Sequence, residues 1–216
     1  MAMNLDSRKG GVIASRFYAL AFVGLSGILG MVSPPDLAMM TTQAQTTQDR
    51  KAEADRLFEQ GNKQYQTSQF QATLQSWQQS LIIYQQIKDR KGEVASLNGL
   101  GNAYRNLGQY QKAIDFHQQS LEIARQIGDR NGEVRSLHGL GAAYGSFGQY
   151  EKEIDFSQQS LEIAKHIGDR NGEARALNGL GVAFVSLGKY DKAIEFHLQR
   201  LVIAREIQDR LGEGQS

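Results

Sequence analysis

LNGLGNAYRNLGQYQKAIDFHQQSLEIARQIGDR, residues 97–130, decides the fold, because the chain repeats it twice at a spacing of 40 residues. The later copies are LHGLGAAYGSFGQYEKEIDFSQQSLEIAKHIGDR at 137–170 and LNGLGVAFVSLGKYDKAIEFHLQRLVIAREIQDR at 177–210. A worn first copy has Ser68-Gln69-Phe70 in register with Gly108-Gln109-Tyr110, and Asp89-Arg90 in register with Asp129-Arg130, Asp169-Arg170 and Asp209-Arg210. Gly-Glu follows each Asp-Arg, at Gly92-Glu93, Gly132-Glu133, Gly172-Glu173 and Gly212-Glu213. A fixed period of this length predicts stacked units leaning on their neighbours, not a globule around one closed core.

Within one copy, Leu97, Leu100, Gly101, Tyr104 and Leu107 fall at helical spacing and predict a first helix, A. Gly108 ends it. Tyr110, Ala113, Ile114, His117, Leu121, Ala124 and Ile127 make the stripe of a second helix, B, and Phe116 and Ile123 add another apolar edge. Helix B is therefore expected to be buried on two sides. Gly128 suits the left-handed residue after its end, and Asp129 suits the cap of the next helix, with Glu133 near that helix's positive pole. Gln208 replaces glycine at the last such joint, which predicts a looser junction there. Gly101, Gly141 and Gly181 are expected where helix B comes close, with Ala113 and Ala193 as partners. Gly99, Gly139 and Gly179 lie off the main stripe, where the adjacent repeat would press in.

The first 44 residues differ. Arg8, Lys9 and Arg16 precede an apolar stretch from Phe17 to Val32, and small residues follow. The pattern is that of a secretory signal with Ala44 as the last residue before cleavage. The alternatives are an anchor retained through 17–32, which is short for a span of ~20 residues, or a misassigned start. Without residues 1–44 the formal charge is zero. That excludes the cationic surplus nucleic-acid binding requires. With no cysteine, disulfides, thiolate metal sites and cysteine catalysis are excluded.

Leu100-Gly101-Asn102-Ala103-Tyr104, Gly108, Tyr110, Ala113 and Leu121 resemble the tetratricopeptide repeat at its signature positions. The usual closing proline is replaced by Arg125, and the unit grows from 34 residues to 40. It is similar to the subgroup of kinesin light chains, Pins-type modulators and bacterial secreted repeat proteins. The resemblance implies an all-α fold: a TPR α-solenoid of four helix-turn-helix repeats in a right-handed superhelix. The expected order is a signal at 1–44, a polar linker at 45–51, a divergent repeat at 52–91 and repeats at 92–131, 132–171 and 172–211. Residues 212–216 would open a further unit. The first copy departs most, with Thr73 and Trp77 on helix B, as suits a cap. Glu153 stands where Ala113 and Ala193 stand, and is expected to tilt into solvent or meet a cation. Repeat three is thus the expected soft joint. The last helix B is expected to expose Phe196, Leu198, Val202 and Ile203 in part.

His117 and His197 lie two repeats apart, and His138 and His166 lack a ligand spacing, so no metal site is expected. Gly99-Leu100-Gly101 recurs inside a helix with no preceding strand, so it reads as packing rather than a nucleotide loop. No nucleophile is tied to a base. No cofactor and no catalytic residue are expected. The resemblance places helix A along an inner groove that holds a protein or peptide. The residues expected there are Asn98, Asn102, Arg105, Asn106, Arg135, His138, Arg175 and Asn178. Asparagine can give and accept hydrogen bonds along a peptide backbone, and arginine can hold a carboxylate bidentately. The function expected is a protein-interaction scaffold. The alternatives are the regulatory arm of a larger secreted hydrolase of caspase-like type, or an exported spacer that self-associates through its last repeat.

Overall fold

The computed structural model describes residues 34–213, with side chains from 45 to 208. The chain divides into two compact units, Met1–Met40 and Thr41–Ser216. In the first, residues 34–40 are helical; the packing described below is that of the second. The helices are α1 Pro34–Gln66, α2 Phe70–Ile87, α3 Arg90–Asn106, α4 Tyr110–Gln126, α5 Arg130–Ser146, α6 Tyr150–Ile167, α7 Arg170–Ser186 and α8 Tyr190–Glu213. No strand occurs among the described residues. Helices pair as hairpins, α3 with α4, α5 with α6 and α7 with α8, each leaning on the next, and α1 packs on α2 through Phe58, Tyr65 and Trp77. The A helices of adjacent repeats touch, α3 with α5 and α5 with α7. The fold is an α-solenoid.

Two boundaries differ from the sequence reading. Residues 45–51, expected as a polar linker, belong to α1. After Pro34 and Pro35, which the first turn of a helix tolerates, nothing up to Gly61 breaks a helix. Ala44 lies within the helical backbone of α1; the apolar stretch 17–32 lies outside the described residues. At the other end α8 runs unbroken past Gln208 to Glu213, where a joint and a fifth unit were expected. The matching glycines, Gly128 and Gly168, turn the chain with φ of +68° and +71°. Glutamine lacks glycine's freedom in that region, although Lys88 takes the same turn, at φ 60°, in the first joint.

The Asp-Arg and Gly-Glu pairs form one device. Asp89, Asp129 and Asp169 cap α3, α5 and α7, accepting from the backbone N–H of Gly92, Gly132 and Gly172 at 3.0, 2.9 and 2.8 Å. The following arginines, Arg90, Arg130 and Arg170, each donate through Nη1 to Oε2 of Glu93, Glu133 or Glu173 at 2.6 Å. Those glutamates are only 3–4% exposed. Arg125 adds a second bond to Glu133, at 2.9 Å. Helix start, buried carboxylate and its counter-charge are thus set by five consecutive residues. In the worn first joint, Lys88 takes the glycine's place at φ 60°.

The recurrent Gly-Leu-Gly explains how the hairpins stack. His117 on α4 is fully buried between Gly101 of its own hairpin and Gly139 of the next. A Cβ on Gly101 would stand 2.6 Å from its Nε2, and one on Gly139 would overlap its ring. Trp77 fills the same slot between Gly61 and Gly99, Ser157 between Gly141 and Gly179, and His197 lies against Gly181. The atoms nearest Gly101 and Gly181 are thus those of the slot residues, one turn further along helix B than Ala113 and Ala193. At Gly141 the backbone oxygen of Glu153, in the register of those alanines, also comes close, 3.4 Å from where a Cβ would stand. Gly99, Gly139 and Gly179 do receive the preceding repeat, as expected.

Candidate functional site

The face formed by α1, α3, α5 and α7 carries three cavities in a row. The first, of about 570 Å³, lies between repeats one and two, with Tyr65, Trp77, Glu59, Asn98, Asn102 and Arg135 in its wall. The second, about 480 Å³, lies in the third repeat and is walled by Arg105, His138, Glu153, Ser157 and Asn178 among others. The third, about 250 Å³, holds His138, Arg175, Asn178 and Arg200. Among the described residues, no group of histidines and carboxylates could hold a metal.

The eight residues named from sequence divide between these places. Asn102, Arg135, Arg175 and Asn178 line cavities with exposed or half-buried side chains. Arg135 and Arg175 reach back towards the capping carboxylates of Asp129 and Asp169, at 3.8 and 3.7 Å. These contacts are long and exposed, so both guanidiniums remain available to another acceptor. Asn106 is exposed and donates to the Tyr65 hydroxyl at 2.8 Å.

Asn98 differs from expectation. It is buried, its Nδ2 donating to Ser136 Oγ at 3.0 Å and its Oδ1 meeting His117 Nδ1 at 3.0 Å. Its amide serves the repeat interface because Ser136 and His117 reach it before any ligand does. His117 is held down at about pKa 3, first by burial, then by the charge of Arg105 and, where it too is protonated, by His138. His138 is held at about 4 by burial, Arg175 and Arg105. Both imidazoles are neutral at physiological pH; His117 fills its slot, and His138 gives the cavities a polar, uncharged wall. Arg105 is half-buried, and its Nε has no hydrogen-bond partner.

Glu153 also departs from the sequence reading. The residue is 5% exposed and pairs with no cation among the described residues; its carboxylate lies in the cavity wall and accepts from no protein donor there. The group lies over Gly145, where any Cβ would overlap it. Burial raises its pKa to about 7, against the opposing pull of Arg105. The sequence reading missed Tyr65, Trp77, Glu153 and Arg200 as wall residues. The signal for Glu153 was present in register, since Gly145 and Ser157 shrink in the one copy where Ala grows to Glu.

The tetratricopeptide repeat profile matches residues 61–126, 93–166 and 154–206, more than half of the chain. The chain belongs to the tetratricopeptide repeat family. No curated protein matches it. Among solved structures it is similar to aspartyl phosphate phosphatase F from Bacillus subtilis, with 20% identity and a TM-score of 0.69 over 74% of this chain and 42% of the other. A Rap protein complexed with competence and sporulation factor gives 21% identity and a TM-score of 0.69, over 74% of this chain and 45% of the other. The TPR domain of Arabidopsis FLU gives 24% and 0.51, over 54% of this chain and 98% of that one. The chain spans less than half the length of the first two. At these identities the likeness is one of fold.

Proposed function

We propose that the protein is a binding scaffold that presents its A-helix face as a preformed groove to a protein or peptide. The observation that carries this reading is the row of three open cavities on the A-helix face, each with asparagine, arginine or histidine in its wall. A rigid face needs little reorganisation on binding, which spares entropy. One relative of this fold was solved complexed with competence and sporulation factor, which supports the same class of use. Asn102, Arg135, Arg175 and Asn178 are the contacts of this reading, and the work is recognition rather than chemistry. The basic, apolar and small-residue order of the first 44 residues supports export, as a soluble or anchored form. To test the groove, the full chain is immobilised and offered an extracytoplasmic extract. Asn102→Ala with Arg135→Ala is expected to weaken capture about ten-fold or more, since charged hydrogen bonds contribute ~1.5–3 kcal/mol each. Unchanged capture would refute it.

A second reading, self-association through the last repeat, is favoured by one observation. Ile194, Leu198 and Val202 of α8 are 55–58% exposed, although Ile203, expected to share that face, is buried. Sedimentation at several concentrations separates a monomer from an assembling chain.

A further inference from the structure

The cavity of the third repeat exists because this copy broke the pattern at three places together. The slot between the paired glycines holds Trp77 in repeat one, His117 in repeat two and His197 in repeat four, but Ser157 in repeat three. Removing an imidazole from the slot leaves space. The position held by Tyr65, Arg105 and Val185 elsewhere is Gly145 here, which removes a second side chain from the same wall. Into the cleared volume projects Glu153, in the place of Thr73, Ala113 and Ala193. The carboxylate fits only because Gly145 has no Cβ.

A carboxylate in a cavity wall with no protein donor has only water for a partner, so its surroundings say what would complete it. Arg105, from α3, shares the cavity but forms no ion pair with Glu153, and its Nε is itself without a partner. From α5 comes His138, neutral at physiological pH; Tyr150 lies on α6 itself; α7 contributes Asn178 and no charge. The site thus offers one acceptor in need of a strong donor and, across a gap, one donor in need of an acceptor. A basic residue in a peptide supplies both, the first from its side chain and the second from its backbone carbonyl.

We propose that this cavity is a receptor for a lysine or arginine side chain of the partner, with Glu153 as counter-charge and Arg105 donating to the neighbouring peptide carbonyl. The inference rests on the groove reading for the peptide, but the cation site can be tested alone. The probe is n-butylguanidinium chloride, titrated into the full chain at pH 8 and followed by NMR, with N-butylacetamide as the neutral control. Saturable binding of the guanidinium alone is expected, about ten- to hundred-fold weaker in Glu153→Gln. Glu153→Ala, the residue two other repeats carry, should lose it as well and guards against a folding defect. No saturable binding to the wild type, equal binding to both variants, or equal binding of the amide would overturn the proposal. A second arm selects random twelve-residue peptides on the full chain. A basic residue at a fixed place is expected on the wild type and not on Glu153→Gln; its absence on the wild type, or its persistence on the variant, counts against the proposal. A failed groove would show instead as capture indifferent to Asn102→Ala with Arg135→Ala, while the guanidinium result stood.

Discussion

Replacing Glu153 by alanine should stabilise the protein, and more so as pH rises. In the folded chain burial lifts this carboxyl from 4.5 to about 7. The unfolded chain releases its proton near 4.5, the folded chain only near 7. Below pH 4.5 both states are protonated and the group contributes nothing. Between the two values the unfolded state is favoured progressively, and above pH 7 the loss is complete. At 1.36 kcal/mol per pKa unit, that loss is at most about 3 kcal/mol. Glu153→Ala removes it and restores the side chain that Ala113 and Ala193 provide at 0 and 2% exposure in their own repeats. His138, held near 4, does not titrate between pH 5 and 8. The assay is urea unfolding of wild type and variant at pH 5 and pH 8. The variant's advantage should grow by roughly 2 kcal/mol or more between them. A difference that is the same at both pH values would show that the carboxyl is solvated in the folded state.

The glycine slots give a second prediction. Gly139→Ala should cost about 1–3 kcal/mol through collision with the His117 ring, despite the ~1 kcal/mol gain in helix propensity. Combining it with His117→Ala should recover much of that loss, and a double-mutant cycle by thermal melting reads the coupling. The caps give a third: Asp129→Ala, which removes the bond to Gly132 N, should cost about 1 kcal/mol in urea unfolding. An unchanged midpoint would mean that the turn, not the carboxylate, starts α5.

The helices, their joints and the period were legible because they depend on neighbours in sequence. Leu97, Leu100 and Tyr104 share a helix face by spacing alone, and Gly128-Asp129 ends one helix and starts the next within two residues. The misreadings came where a residue's role depends on a distant partner or on a signal's absence. Residues 45–51 looked like a linker for their glutamine and threonine, but composition does not stop a helix that meets no glycine or proline. Asn98 looked available on an exposed face; Ser136, 38 residues on, claims it.

By itself the sequence determined that this is an array of helical hairpins, since a 40-residue period carrying two helical stripes has no other way to bury both faces. The tertiary structure alone decided which side chains cross between hairpins, and so where the face is filled and where it is open. His117 and Ser157 occupy the same register, yet one closes its slot and the other leaves a cavity with an unpaired carboxylate in its wall. That difference arises from the space between helices brought together by stacking, and such space has no counterpart in the linear order of residues.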